Sequence, residues 1–495
     1  MTTTVAAKYE IIIGVEVHAQ LSTRSKMFCR CSSEYAAAPA DTHVCPICLG
    51  MPGVLPVINE QAVEFTIMTA LALNCSIPER SKFDRKNYPY PDLMKGYQIS
   101  QYDMPFSRNG WLEIEANGEH RKVGITRVHL EEDTARLVHR ADEAGEAYSL
   151  VDVNRAGCPL MEIVSEPDMR SPEEARQYAI KLRQILRYIG VSTADMEEGS
   201  FRCEPNISLR PVGSDTFGTK VELKNINSFR AVYRGLEYEV RRQMEVLESG
   251  ERVVQETRGW REDLGQTVSQ RSKEYAHDYR YFPEPDLPVM TFTREYVDRI
   301  RAGLPELPDA KRGRFVEQYG LTPYEASILT EARERADYFE ACLVPVAEGD
   351  RGALLRRAKA VANWMLGDFA RLLNNTGIDI AEARVRPEQL YDMMLLVEDG
   401  TITGTAAKAV FEEMFATGKG PRQVVEERGL TQISATDEIT AAVEKVLAEN
   451  PKAVADYRGG KQEAVKFLVG QVMRQTRGRA NAGVVQQLLR EHLDS

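Results

Sequence analysis

Residues 283–288 read Pro283-Glu284-Pro285-Asp286-Leu287-Pro288, and the chain changes character across them. Upstream, from residue 9 to about 290, short β-like runs such as Ile11-Ile12-Ile13, Val151-Asp152-Val153 and Leu160 to Val164 are broken by Gly, Pro and Asn. Downstream, from Arg294, apolar residues recur at helical spacing with almost no strand signal. The upstream part is expected to be one large α+β domain. Its predicted helices, Glu60 to Leu73, Ser171 to Ile189 and Ser228 to Glu248, do not alternate regularly with the strands, which predicts a mainly antiparallel sheet. The expected domains are 1–292, then a helical linker region at 293–347, then a helical region at 348–495 whose tail proper starts near 415. Thr322-Pro323-Tyr324-Glu325 is a capping box with proline at the first helical position, and it predicts a helix through about Thr330.

A chain of 495 residues, 43% hydrophobic, is long enough for about three domains. With a net charge of −11 it repels polyanions as a whole, so contact with a nucleic acid needs a local basic surface. From Pro451 onward eight cations, Arg474, Arg477 and Arg479 among them, face four carboxylates. A solvated helix face is the plainer account of those arginines on charge alone. Residues 1–8 lack the basic start and apolar core of a signal peptide and the arginine-rich amphipathic pattern of a transit segment. No run of eighteen apolar residues occurs, which predicts no membrane span and a reducing bacterial cytoplasm.

Cys29 and Cys31, followed by Cys45 and Cys48, form a cluster in an insertion at about 27–50, while the other four cysteines are scattered singly. Two knuckles bringing four thiolates to one ion suit structural Zn2+, although the first gap is tighter than usual. Two disulfides or four buried thiols are the alternatives, and a reducing compartment disfavours the disulfides.

In Gly14-Val15-Glu16-Val17-His18 a carboxylate and an imidazole two residues apart share one face of a predicted strand. A divalent ion or a plain Glu–His hydrogen bond would account for the pair. Glu132 follows Val128 and Leu130, and Glu162 sits between Leu160 and Val164. Carboxylates on apolar faces are costly unless they are paired or metal-bound, so both are expected in a buried acidic site suited to Mg2+ or Mn2+, or else against arginines. The loop Lys82 to Asp92, with Arg85, Lys86 and Tyr88, mixes cations, amides and aromatics around prolines. It is expected either to grip phosphate, an amino-acid end or a base, or to be a solvated loop with packed tyrosines. Gly213 to Lys220 has the two glycines of a P-loop but lacks lysine directly after the second, so it makes no phosphate cradle. No Gly-x-Ser-x-Gly elbow or Cys/His nucleophile pair is present, so any ammonia the protein uses must come from elsewhere.

The strings IGVEVHAQL at 13–21, SKFDRKNYPYPDLMKGYQISQYD at 81–103, HLEEDTARL at 129–137 and LVDVNRAGCPLMEIVSEPD at 150–168 closely resemble the GatB/GatE family. This family comprises the B subunits of the aspartyl/glutamyl-tRNA amidotransferases. MEEGSFRCEPNISLRP at 196–211, FGTKVELKNINSF at 217–229 and DYRYFPEPDLP at 278–288 carry the same resemblance. The segment 467–489 is similar to the YqeY-type helical module that closes this family and contacts tRNA.

The resemblance implies a cradle-shaped catalytic domain and a heterotrimer in which the partners are an amidase (the A subunit) and a small C subunit. It further implies a ligase of the carbon–nitrogen class with glutamine as amido donor. ATP and Mg2+ (or Mn2+) would phosphorylate the side-chain carboxylate of Glu-tRNA(Gln) or Asp-tRNA(Asn), and ammonia would displace the phosphate. The implied metal set is His18, Glu132 and Glu162 with Glu16 beside it; Lys82, Arg85, Lys86 and Tyr88 are candidates for phosphate or substrate contacts, and Arg474, Arg477 and Arg479 for tRNA. Some members of the family lack the four cysteines, which makes zinc a structural staple, expected near the tRNA acceptor end. A zinc-containing tRNA-binding scaffold without catalysis is the alternative from another functional class.

Overall fold

The computed structural model describes residues 8–272, 279–346, 350–431, 436–459, 461–476 and 478–494. In chain order its strands are β1 (Tyr9–Gln20), β2 (Arg80–Ser81), β3 (Asp84–Asn87), β4 (Tyr97–Ser100), β5 (Gly110–Ala116), β6 (Glu119–Glu132), β7 (Arg136–Ala141) and β8 (Ala147–Asp152). They continue with β9 (Pro159–Ser165), β10 (Phe201–Pro211), β11 (Val221–Lys224), β12 (Glu256–Arg261), β13 (Gln266–Ser272), β14 (Phe282–Pro283) and β15 (Met290–Thr291). Two units emerge, Met1–Leu307 and Pro308–Ser495.

The first unit is built on an eight-stranded sheet of order β13-β12-β11-β10-β1-β9-β6-β5. Its neighbours are antiparallel except β11 and β12, which run parallel. The fold is thus α+β with a mainly antiparallel sheet, as the irregular spacing of helices and strands predicts. Period-two alternation gives the sheet two different faces. Ile13, Val15, Val17 and Ala19 of β1, Val128 and Leu130 of β6, and Met161 and Ile163 of β9 all enter one core. The helices Glu60–Ala72, Pro172–Tyr188 and Phe229–Glu248 pack on that face. Burying each such aliphatic side chain stabilises the unit by about 1.5–3 kcal/mol before chain entropy is counted.

The helix starts follow from their caps. Ser171 accepts from the Glu174 amide ahead of Pro172, and Ser228 accepts from Ala231. Beyond the caps, Ala175, Tyr178, Ala179, Leu182, Ile185 and Leu186 recur at helical spacing and are all buried. Three smaller pieces flank the sheet: a three-stranded sheet of order β14-β3-β4, the short pair β15–β2, and the hairpin β7–β8. The helix Arg294–Ala302, expected to open the linker region, instead sends Val297 and Ile300 into this first core.

The second unit is helical from Pro308–Tyr319 to Ala482–Asp494. Thr322 and Glu325 form the expected capping box at the start of Pro323–Leu329. Phe315, Phe339, Phe369 and Phe411 are buried in one core, which also takes Met414 and Phe415. A separate core of Val443, Leu468, Val472, Val485 and Leu489 begins at Ile439, so the packing of the tail starts later than residue 415. Among the described residues no helix is long and apolar enough to cross a membrane.

Candidate active site and metal centre

The face of the sheet opposite the helices carries charge, and register brings its key residues together. His18 of β1 lies opposite Glu162 of β9, and Glu162 lies opposite His129 of β6. Alternation puts Glu131, two residues after His129, on the same face. His18 Nε2 is 3.5 Å from Glu162 Oε2 and 3.7 Å from Glu131 Oε1. His129 Nε2 is 3.2 Å from Glu162 Oε2 and 3.9 Å from Glu131 Oε2. Ser100 Oγ of β4 donates to Glu131 Oε2 at 3.1 Å. One ligand atom each from His18, Glu131 and Glu162 can lie within 4.8 Å of the others, a spacing from which one cation is reachable.

The electrostatics express the crowding. Burial works against the charged form of His18, but Glu162, with Glu204 and Glu131, outweighs it and lifts the imidazole to about 9. Burial would raise Glu162, yet His129 and His18 hold it well below the ordinary carboxylate range. Glu16, whose Oε1 accepts from Asn206 Nδ2 at 3.0 Å, is pushed up by burial and by Glu162. Burial opposes the charge on Lys86, but Glu131 comes first among the groups that hold it protonated, followed by Tyr281 and Glu162. The donor set is mixed nitrogen and oxygen, and the buried Nδ1 atoms of His18 and His129 have no hydrogen-bond partner among the described residues. Two carboxylates and an imidazole at this spacing fit Mn2+ well, and Mg2+ with phosphate oxygens completing the shell.

Glu132 is not part of this cluster. Its parity places it with Val128 and Leu130 on the other face, where its Oε1 accepts from Lys95 Nζ at 2.5 Å and from the Ile99 amide at 2.9 Å. Glu131 occupies the place assigned to Glu132. The cations of β3 and the residues leading into it also divide. Lys82 pairs with Asp84 and with Asp103, and Arg85 binds Glu284 through two bonds of 2.6 and 2.8 Å while stacking 4.4 Å from the Tyr97 ring. Both are committed within the chain. Only Lys86 of the three is turned to the acidic cluster, between the rings of Tyr279 and Tyr88 at 5.1 and 5.8 Å. Tyr88 itself packs edge-on against Tyr279.

Sequence reasoning missed Glu131 and His129. The signal that could have found them is the alternation of Val128 and Leu130 with His129 and Glu131 in HLEE.

Cys29, Cys31, Cys45 and Cys48 converge, their sulfurs within 4.8 Å of one another. Cys45 and Cys48 are 3.9 Å apart at Sγ, close to the ~3.8 Å of a tetrahedron with zinc–sulfur bonds of about 2.3 Å. The second knuckle closes by bonds from Leu49 and Gly50 amides to Cys45 and Ile47 carbonyls, with Gly50 at a positive φ of 66°. A hydrogen bond from Cys29 is the largest influence holding the Cys48 thiol down, at about 4. All-sulfur, four-coordinate and without an open position, the set fits a structural zinc.

In the second unit, Arg474 is exposed at the end of Ala464–Gln475, and Arg479 is half-buried with Nε donating to the Thr476 carbonyl at 3.4 Å. Arg477 lies outside the described residues.

Comparison with known proteins bears on both units. Residues 11–298 match the model of the GatB/GatE catalytic domain, and residues 351–493 match the model of the GatB domain. The B subunit of the aspartyl/glutamyl-tRNA(Asn/Gln) amidotransferase from Dehalococcoides mccartyi (strain CBDB1) is 55% identical over 496 residues, covering 98% of this chain and 99% of that protein. Proteins of the same name from Carboxydothermus hydrogenoformans and Thermomicrobium roseum are 56% and 57% identical over 486 residues, with the same coverage. Matched across sheet and helical units alike, the chain belongs to the GatB/GatE family.

Proposed function

We propose that this chain is the B subunit of a tRNA-dependent amidotransferase, in which it activates the side-chain carboxylate of Glu-tRNA(Gln), Asp-tRNA(Asn) or both with ATP and then amidates it. The observation that carries the chemistry is the buried His18–Glu131–Glu162 cluster facing Lys86 on the polar side of the sheet.

A carboxylate acylates poorly because its leaving group would be oxide. Transfer of the γ-phosphoryl group to one carboxylate oxygen gives an acyl phosphate and ADP. Ammonia then attacks the carbonyl carbon, the bond to the phosphate oxygen breaks, and amide and phosphate leave. His18, Glu131 and Glu162 would hold the divalent cation, and Glu16 lines the same face. When bound, that cation neutralises charge on the transferring phosphoryl group. Lys86, kept cationic by Glu131, adds a second positive charge from β3. Ser100 fixes the Glu131 carboxylate from the side. The four cysteines would hold zinc as a structural brace beside Glu132 and Gly157, apart from the acidic cluster, with no position on that ion left for substrate. Ammonia comes from a glutaminase, the A subunit, strapped to this chain by a small C subunit, and the tail reaches tRNA through Arg474, Arg477 and Arg479.

The test is ATP-dependent conversion of Glu-tRNA(Gln) and Asp-tRNA(Asn) by the purified chain with ammonium chloride in place of glutamine, with ADP followed in parallel. Amide formation coupled to ADP release is the expected result. Binding of tRNA without ADP or amide, also after adding the glutaminase and its small companion, would overturn the catalytic role.

A further inference from the structure

The register of β6 turns one more cation toward the acidic cluster. Val123 and Ile125 enter the apolar core, and so do Val128 and Leu130, so the alternation of the strand reverses between residues 125 and 128. The irregularity between Ile125 and Arg127 makes that reversal and brings Arg127 to the polar face, opposite Val164 and two residues from His129. We propose that the Arg127 guanidinium binds the side-chain carboxylate of the amino acid carried by the tRNA and so selects the acidic substrate over its amide product; this rests on the function proposed above.

The first observation is that the guanidinium is uncommitted. Arg127 is half-buried, its Nε is shut off from solvent without an acceptor, and the side chain makes no hydrogen bond or ion pair among the described residues. A buried donor left unmatched costs about 1–3 kcal/mol, which an incoming acceptor recovers. Other cations of the same face are already held: Arg202 by Asp133 at 3.2 Å, Arg210 by Glu10 at 2.7 Å and Lys224 by Glu204 at 3.0 Å.

The second is the wall beside it. Burial lifts the Tyr281 hydroxyl to about 12, Lys86 and Arg127 pull it down, and Glu131 and Glu162 push it up, so phenol, guanidinium and acidic cluster share one neighbourhood. Tyr281 stacks on Tyr102 with ring centroids 4.3 Å apart and planes 9° from parallel. The turn before it is pinned from β3, where the Asn87 amide donates to the Tyr279 carbonyl and Asn87 Nδ2 to the Arg280 carbonyl, both at 2.9 Å. Arg280 is held there at φ 44°, a strained conformation of the kind that surrounding structure retains at functional sites.

The third is reach. Two residues of strand separate Arg127 from His129 by about 7 Å, so a carboxylate on the guanidinium lies close to a phosphoryl group at the His18–Glu131–Glu162 cluster. Two parallel N–H donors match the two oxygens of a carboxylate, whereas an amide offers one oxygen and sets its NH2 against a donor. One carboxylate oxygen, which keeps a free lone pair, attacks the γ-phosphorus, and the bond from that phosphorus to the ADP oxygen breaks. The guanidinium then donates to the carbonyl oxygen of the acyl phosphate, where negative charge grows as ammonia adds. Once phosphate has left, the neutral amide is held less tightly than the acid was.

The experiment measures equilibrium binding to the full-length chain without ATP, comparing Glu-tRNA(Gln) with Gln-tRNA(Gln) and Asp-tRNA(Asn) with Asn-tRNA(Asn). The unaltered chain should hold the acidic form of its substrate roughly ten- to hundredfold tighter than the amide form. In Arg127→Gln the two forms should bind alike, through loss of the acidic one, and Arg127→Lys, which keeps the charge without the paired donors, should restore part of the preference. Mn2+ and MgATP affinities should stay within about twofold in both variants, which shows the sheet intact. A preference absent from the unaltered chain, or unchanged in Arg127→Gln, would overturn the assignment. So would a fall in MgATP affinity with the preference intact, which would give the guanidinium to the phosphates. Failure of the unaltered chain, with its partners, to form amide from either aminoacyl-tRNA would instead overturn the function proposed above.

Discussion

Glu131 and Glu132 are consecutive, yet their carboxylates lie on opposite faces of the sheet: Glu131 stands 3.7 Å from His18 Nε2, and Glu132 accepts from Lys95. Substitution by glutamine should separate their roles. Glu131→Gln removes one anionic ligand and should abolish ATP-dependent phosphorylation and weaken Mn2+ binding, read by electron paramagnetic resonance titration. Glu132→Gln should leave Mn2+ affinity within about twofold, because it sits behind the sheet. Equal loss of Mn2+ affinity in the two variants would remove Glu131 from the metal set.

Zinc is expected to act on folding. Cys48→Ser takes one ligand from a closed site, so the purified variant should carry almost no zinc by elemental analysis and should be recovered in lower soluble yield. Melting temperature should drop on prolonged chelation of the unaltered chain and return when zinc is added back. Full stability and activity in a zinc-free chain would sink the staple role.

Glu239 gives the sheet unit a dependence on acid. It is fully buried on the helix Phe229–Glu248, bonded by Arg242 at 2.8 and 2.9 Å and by Thr267 at 2.6 Å, and paired with Arg258 at 3.1 Å. Burial opposes its ionisation, but Arg242 and Thr267 outweigh that and lower it from the ordinary 4.5. A carboxyl lowered on folding stabilises the native state fully above its unfolded value, and that contribution fades as pH falls from about 4.5 through the lowered one. Denaturant titrations from pH 6 down to 3 should show this loss. In Glu239→Gln the acid-dependent part should shrink, while stability at pH 7 falls by about 3–5 kcal/mol because two arginines lose a buried partner.

The tail's contact with tRNA should be electrostatic. Replacing Arg474 and Arg479 by Gln should weaken tRNA binding across sequences and reduce the slope of log K against log salt by about one for each phosphate no longer neutralised. An unchanged slope would place the tRNA surface elsewhere.

Much of this architecture is local and hence legible in the chain itself. Ser171 with Pro172, Ser228, and Thr322 with Glu325 announce helices that begin where they should. The cysteine spacing announces its cluster, because both knuckles are short turns. What is not local is harder to read. That His18 meets Glu162, which His129 also contacts, depends on pairing between β1 and β9, more than 100 residues apart. The choice of Glu132 over Glu131 is an error of parity: both carboxylates are buried, and only the identity of the face distinguishes them. The irregularity between Ile125 and Arg127 in β6 shifts the pairing with β9, so counting along that strand alone could not set the register. Lys82 and Arg85 resemble Lys86 in composition, but their carboxylate partners include Glu284, which is 199 residues from Arg85.

The place of β1 between β9 and β10 also governs how the protein is made. β1 leaves the ribosome long before its partners, both of which lie beyond residue 158, and the sheet is not closed around it until residue 211. At about 5–20 residues per second, its apolar face and both its edges wait on the order of ten seconds or more for their neighbours. An unpaired strand rich in isoleucine and valine is prone to pair with another nascent chain during that interval. Assembly of the acidic row therefore coincides with the slow, long-range step of folding, and a nascent chain stalled before β9 would expose a sticky edge and lack the His18–Glu131–Glu162 cluster.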